Sequence, residues 1–148
     1  MPAPPSSLRA RALKALARRE HTRQELQDKL RPFAEDADEL EPLLDDLEKR
    51  GWLSEARFVE QLTSVPRRRF GAARILHELR EKGVSEAALA AAQSQLKDSE
   101  VEAARAVWRK KFGSLPATLE DRAKQARFLA SRGFSAEAVH KVLRSEEQ

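Results

Sequence analysis

The chain contains no cysteine, which excludes disulfide bonds, thiolate metal sites and cysteine nucleophiles. Only five of its 148 residues are glycine. β-Branched residues are also scarce, whereas Ala, Leu, Glu, Arg and Lys are frequent, a composition typical of helical proteins. No apolar run approaches the length of a membrane span, and the N-terminal region lacks the apolar core of a signal peptide. We therefore expect a soluble, intracellular, all-α protein that is large enough to bury a real core.

Charge is unevenly distributed, although the formal net charge is only +4. Residues 1–31 carry eight basic and three acidic side chains, whereas residues 35–48 carry eight acidic side chains and no basic one. Such asymmetry is typical of a protein whose partners include a charged polymer or the protein that coats it. A solvated helix face explains the acidic run alone equally well.

The central segment, residues 47–85, carries the clearest helix signals. Ser54 is a suitable N-cap for one helix, which Pro66 ends. Gly83 occupies the position after a second helix where a positive φ is needed, and Ser85 can cap the next helix. The segment therefore predicts two helices, a basic connector between them, and the start of a third.

This segment also contains an ordered motif. An Arg-Phe pair is followed by Gly-x-x-[Lys/Arg]-Ile-x-x-Glu-Leu-x-x-[Lys/Arg]-Gly-[Ile/Val], and the residues that carry it are Arg57, Phe58, Gly71, Arg74, Ile75, Glu78, Leu79, Lys82, Gly83 and Val84. The motif resembles the central signature of the RecX family of bacterial recombination regulators. The resemblance is strong in this segment and thinner toward both ends of the chain.

Helix signals recur along the whole sequence with a regular spacing. Gly83-Val84-Ser85 and Gly133-Phe134-Ser135 share one pattern, a glycine followed by an apolar residue and a serine, and they lie 50 residues apart. Such a repeat predicts stacked helical modules that bury their faces against each other. We predict a disordered tail at 1–5 and three three-helix repeats at 6–53, 54–97 and 98–148, which form an elongated, curved helical array. The resemblance implies the same fold.

The predicted core consists of apolar side chains that recur at helical spacing. They are Leu13, Leu16, Leu26, Leu43, Leu47, Phe58, Leu62, Leu76, Leu79, Leu89, Val101, Trp108, Leu129 and Val139.

Catalytic and metal-binding motifs are missing from the sequence. His21, His77 and His140 are isolated and share no metal-ligand spacing. No Gly-rich phosphate loop, His-Glu-x-x-His motif or nucleophile elbow is present. We therefore predict a protein that is not an enzyme and that needs no cofactor and no metal.

Cations recur near the end of the first helix of each predicted repeat. One or two cations complement a helix dipole, but two or three adjacent ones exceed what the dipole requires. In stacked modules the groups would form a discontinuous basic track that contacts a phosphate backbone or an acidic protein groove. The predicted partner-binding residues are Arg18, Arg19, Arg23, Arg67, Arg68, Arg69, Arg74, Arg109, Lys110 and Lys111.

The three adjacent arginines at 67–69 are predicted to lie at the centre of this track, because a connector after Pro66 leaves side chains freest to leave the core. Replacing all three with glutamate is therefore predicted to leave stability nearly unchanged and to weaken binding in a salt-dependent way. Phe70 is the one aromatic residue set among cations, as stacking on nucleic-acid bases requires. A hydrophobic staple is the favoured interpretation of Phe70.

The resemblance implies a cytoplasmic regulator that binds the RecA filament on single-stranded DNA. It implies inhibition of filament growth, ATP hydrolysis, strand exchange and cleavage of the SOS repressor. We expect a monomer with no membrane partner. The alternative is a module that binds nucleic acid directly, because the helix at Thr22–Leu30 follows a short turn as in a helix-turn-helix. Direct contact with DNA stays open at this point.

Overall fold

The computed structural model describes residues 7–144, and all regular structure in this range is helical, without strands. The prediction of an all-α fold is confirmed. The predicted tail at 1–5 lies outside the described residues. The described range contains nine α-helices, α1 (Leu8–Arg18), α2 (Arg23–Leu30), α3 (Leu40–Lys49), α4 (Glu55–Thr63), α5 (Ala72–Glu81), α6 (Glu86–Asp98), α7 (Glu100–Lys111), α8 (Leu119–Ser131) and α9 (Ala136–Leu143).

Hydroxyl side chains begin most of these helices, as the sequence predicts. In each case the oxygen accepts a hydrogen bond from a backbone N–H of the first turn, which otherwise has no partner inside the helix. At α2 the cap is reciprocal, because Glu25 also accepts from the N–H of Thr22. The capping residues are Ser7, Thr22, Ser54, Ser85, Thr118 and Ser135.

A short 3₁₀ turn precedes helix α3. Asp36 caps a 3₁₀ turn at Ala37–Glu39, and the α-helix starts only at Leu40. Pro42 has no N–H to donate to the carbonyl of Asp38, so regular α-helical bonding cannot extend back through this turn.

Backbone contacts divide the described chain into two compact units. Unit 1 comprises the described residues up to Phe58 together with Lys82–Val84. Unit 2 comprises Val59–Glu81 and the described residues from Ser85 onward. The division into three repeats stays a prediction.

The core of unit 1 is formed by α1, α2, α3 and the turn after α3. Helix α1 contributes Ala12 and Ala15, whose small side chains allow α2 to approach closely. The prediction for Leu13 is wrong, because its side chain is 36% exposed and lies beside the buried face. Leu16 and Leu43 are half-buried. The buried residues of this core are Ala12, Ala15, Leu26, Leu30, Leu40, Leu44, Leu47 and Leu53.

Unit 2 packs α7, α8 and α9 around one core, and α5 and α6 also pack on each other. Leu62 and Val101, predicted as core residues, are only half-buried. The other predicted core residues of this unit are buried, namely Leu76, Leu79, Leu89, Trp108, Leu129 and Val139. Trp108 is also anchored by a polar contact, because its Nε1–H donates to Oε1 of Gln125 at 2.8 Å.

Leu79→Ala is expected to lower the free energy of unfolding by roughly 2–5 kcal/mol, because the side chain is fully buried and its loss leaves a cavity. Leu119→Ala is the matched control, since Leu119 is 86% exposed. Urea unfolding followed by circular dichroism measures both. Equal destabilisation by the two substitutions would contradict the packing described for α5.

Candidate partner-binding site

Arg68 is a buried structural residue, which corrects the prediction that all three adjacent arginines are exposed. Its side chain is inaccessible to solvent and forms an ion pair with Glu100. Its Nε donates to the carbonyl of Phe70, and its Nη1 donates to the carbonyl of Leu96 and to Oγ of Ser99. Burial lowers the pKa of the Arg68 guanidinium, and the attraction and hydrogen bond of Glu100 oppose this shift. Arg68 therefore cannot contact a partner without unfolding its surroundings.

Glu100 connects two further parts of unit 2. Its Oε1 accepts the N–H of Ala72 at 3.1 Å, at the start of α5. Its Oε2 accepts the N–H of Ser135 at 3.1 Å, just before α9. A carboxylate is favourable at helix N-termini because it pairs with N–H groups that have no intrahelical partner. The pair of Arg68 and Glu100 thus holds the ends of α5, α6, α7 and α9 together.

A close backbone contact brings the connector before α5 onto the turn after α8. The N–H of Gly71 donates to the carbonyl of Arg132 at 2.8 Å. A Cβ on Gly71 would lie 1.9 Å from the carbonyl oxygen of Gly133, so only glycine fits here. The contact fixes Arg132 beside the connector, which also carries Arg69.

A cleft of about 530 Å³ opens in unit 2 between the connector, α7 and α8. Its walls are largely apolar, and four cations stand around them: exposed Arg69 from the connector, exposed Lys110 and Lys111 from α7, and half-buried Arg132 after α8. The residues that line it are Val65, Pro66, Arg68, Arg69, Ala106, Val107, Lys110, Lys111, Phe128 and Arg132. We call it the unit 2 cleft.

Aromatic rings hold some of these cations in place. Lys111 Nζ lies 5.3 Å and the Arg132 guanidinium 4.9 Å from the centre of the Phe128 ring, within the range of cation–π attraction. Phe70 is half-buried, with Arg74 stacked 3.9 Å from its ring centre. Because its ring is half-buried, Phe70 is not an open stacking platform.

The remaining predicted cations of unit 2 lie beside the cleft rather than in its lining. Arg67 and Arg109 are exposed, and neither forms an ion pair within the described part of the chain. Arg74 donates to the carbonyl of Ser131 at 3.4 Å, in addition to its contact with Phe70. Arg132 is a cation of the cleft that sequence reasoning missed, because it belongs to none of the three cationic groups.

Two of the predicted cations in unit 1 are engaged in structural contacts. Arg19 pairs with Glu25 at 2.9 Å, and Arg23 pairs with Asp45 at 2.8 Å and with Glu48. Desolvation alone would raise the pKa of Glu25. Hydrogen bonds from Arg19, Lys82 and the Thr22 backbone outweigh it and lower that pKa to about 2. These contacts are part of the scaffold of unit 1.

Arg18 lies in a second, smaller cleft of about 200 Å³ within unit 1. Sequence reasoning missed the other cations there, although three of the four share one stripe of α1 at i, i+3 and i+7, which periodicity could have found. The lining residues are Arg11, Lys14, Ala15, Arg18, Lys29, Leu30 and Phe33. We call it the unit 1 cleft.

Helix α2 is poorly placed to read bases in the manner of a helix-turn-helix. Thr22 Oγ1 donates to the carbonyl of Lys82 at 2.7 Å, and Gln24 packs against Gly83. Arg23 is held by its acidic partners on α3. The side chains at the start of α2, which would reach the base edges, are therefore engaged in contacts within unit 1.

No group of three or more His, Asp or Glu side chains in residues 7–144 is arranged to hold a metal ion. His21 is buried with its Nδ1 3.0 Å from the carbonyl of Arg19, and burial lowers its pKa, so the ring is neutral at pH 7. None of the nine described helices combines the length and apolarity that crossing a bilayer requires. The described surface offers cations beside apolar walls in two clefts.

Several known proteins are similar to this chain along most of its length. A family model described as the third three-helix domain of RecX matches residues 98–143. The regulatory protein RecX of Ralstonia nicotianae is 45% identical over 147 residues, which is 99% of this chain and 92% of that protein. The regulatory protein RecX of Leptothrix cholodnii is 50% identical over 141 residues, 95% of this chain and 90% of that protein.

Two solved structures share the fold. The crystal structure of RecX from Lactobacillus salivarius has a TM-score of 0.64 and 18% identity, and the match covers 95% of this chain and 94% of that one. A crystal structure of a regulatory protein RecX has a TM-score of 0.67 and 20% identity, covering 95% and 72%. At this identity the likeness concerns the fold alone.

Arg68→Ala is expected to destabilise the protein by roughly 3–5 kcal/mol, because it leaves the buried carboxylate of Glu100 without its charge partner. Arg67→Ala, one residue earlier and exposed, is expected to change stability by no more than about 0.5 kcal/mol. Thermal and urea unfolding of the two variants tests this. A nearly unchanged melting temperature for Arg68→Ala would refute the structural role.

Glu25→Gln is expected to destabilise the protein at neutral pH and to matter progressively less in acid. The pKa of Glu25 is lowered on folding, so its ionised form stabilises the folded state above about pH 4.5, and this contribution disappears as the pH falls toward about 2. Urea unfolding of both proteins across this pH range measures the difference. A difference that stays constant with pH would contradict the proposed pairing.

Proposed function

This chain belongs to the RecX family of regulatory proteins, and from that premise we propose that it binds the RecA filament on single-stranded DNA and inhibits it. The inhibited activities are filament growth, ATP hydrolysis, strand exchange and cleavage of the SOS repressor. The protein acts in the bacterial cytoplasm without an enzymatic step of its own, by occupying a surface that the filament needs.

The observation that carries this proposal is the unit 2 cleft, which combines apolar walls with a rim of cations. Val107 and Phe128 offer apolar surface, while Arg69 and Lys110 are accessible and positively charged. Apolar burial supplies affinity at a protein interface, and the charges around it supply orientation and a fast association rate. A cleft of this composition fits an acidic protein surface with apolar side chains at its centre.

The cations that take part come from separate places in the chain. Arg69 is positioned by the connector that Arg68 anchors, and Lys110 belongs to the last turn of α7. Arg67 and Arg109 extend the charge beyond the cleft. We propose these four residues, with Lys111 and Arg132, as the contact surface of unit 2. Arg68 is not part of it.

The rival function is a module that binds nucleic acid directly through α2 as a recognition helix. The contacts of Thr22, Arg23 and Gln24 within unit 1 weigh against it. Sequence-dependent affinity for duplex DNA in the absence of RecA would support the rival.

RecA ATPase on single-stranded DNA, titrated with this protein, tests the proposed function. We expect a progressive decrease in the rate of ATP hydrolysis. The double variant Arg69→Glu/Lys110→Glu is expected to need about tenfold more protein for half inhibition, equivalent to about 1.4 kcal/mol of binding free energy. The loss should shrink as salt rises, because screening removes the same interaction.

The matched control is Lys97→Glu/Arg127→Glu. Both residues are exposed, neither lines the unit 2 cleft, and the substitution changes the net charge by the same amount. An ATPase rate that stays constant across the full titration would reject the regulatory function proposed here. Equal weakening by the control would show that net charge, rather than the cleft, determines inhibition.

A further inference from the structure

The unit 1 cleft, like the unit 2 cleft, is lined by cations and apolar side chains. Four of its seven lining residues are cations, and none is a carboxylate. Its apolar part consists of Ala15, Leu30 and one aromatic ring. A cleft dominated by cations favours a ligand with regularly spaced negative charges over one with large apolar side chains.

Phe33 is an accessible aromatic ring set among these cations. It is 52% exposed, and the Arg11 guanidinium lies 3.6 Å from its ring centre. The 3₁₀ turn at Arg31–Phe33, which contains Pro32, fixes the backbone that presents the ring. Accessible aromatic rings and stacked guanidinium groups are the surfaces on which nucleic-acid bases stack. Phe33 therefore has the environment that the sequence suggested for Phe70.

The cations form a line along α1. Arg11, Lys14 and Arg18 lie at i, i+3 and i+7, and a rise of 1.5 Å per residue spreads them over about 10 Å of one helix face. Lys29 joins them from the last turn of α2. Within the described residues none of these four cations forms an ion pair. Their charges are thus available to successive phosphates of one strand.

We propose that the unit 1 cleft binds a single strand of nucleic acid directly, in the absence of RecA. The backbone phosphates contact Lys14, Arg18 and Lys29, and one base stacks on the exposed surface formed by Phe33 and Arg11. Contacts to phosphate and stacking on a ring carry little sequence information, so binding is independent of base sequence. The proposal does not depend on the regulatory function proposed above.

Fluorescence anisotropy with a labelled oligothymidine, without RecA, tests this site. Lys14→Gln/Lys29→Gln is expected to weaken binding and to reduce the slope of log affinity against log salt by about 1.4, since each phosphate contact on a single strand contributes about 0.7. Phe33→Ala is expected to weaken binding by roughly five- to 150-fold with an unchanged slope, because it removes stacking and no charge.

Lys97→Gln/Arg127→Gln is the control for net charge and is expected to leave oligothymidine affinity within about twofold, since both residues lie outside the unit 1 cleft. Retained helicity and melting temperature of each variant show that the fold is intact, as expected for substitutions of exposed residues.

Two results would overturn the proposal. One is an affinity for oligothymidine that neither Lys14→Gln/Lys29→Gln nor Phe33→Ala changes. The other is equally tight binding of a polyglutamate peptide with the same dependence on Phe33, which would assign the cleft to an acidic protein. A RecA ATPase that is still inhibited by the Phe33→Ala variant would leave the proposed regulatory function standing, so the two proposals fail separately.

Discussion

The buried pair of Arg68 and Glu100 is the interaction on which unit 2 depends. An unpaired charge in this environment is costly, so each partner requires the other. Arg68 also satisfies carbonyl groups at the end of α6 and in the connector, and Glu100 satisfies N–H groups at the starts of α5 and α9. The pair therefore sets the mutual positions of helix ends that are far apart in the sequence.

The position of the accessible cations follows from this pair. Because Arg68 turns inward, the connector carries Arg67 and Arg69 on its outer side. The contact of Gly71 with the turn after α8 then places Arg132 on the same cleft. Contacts of the connector with the buried pair and with the turn after α8 thus position these cations.

The two units use cations differently. In unit 1 the carboxylate of Glu25 forms ion pairs with Arg19 and Lys82. Four other cations of this unit line the unit 1 cleft beside Phe33, namely Arg11, Lys14, Arg18 and Lys29. In unit 2 the accessible cations border apolar walls. We propose an acidic protein surface as the partner of the unit 2 cleft and a phosphate backbone as the partner of the unit 1 cleft.

Helix content, helix caps and most of the core follow from the sequence alone, because capping and helical periodicity are local properties that a few neighbouring residues determine. The motif from Arg57 to Val84 likewise identified the family. The roles of the adjacent arginines could not be predicted in this way. Arg67, Arg68 and Arg69 are chemically identical neighbours. The middle one is buried because the tertiary structure places Glu100 of α7 beside it as a charge partner. The stripe of Arg11, Lys14 and Arg18 on α1, by contrast, is a local pattern. Arg132 and Lys29 could not be assigned to their clefts from such a pattern, because which charges share a cleft depends on how helices pack, and packing is a property of the tertiary structure.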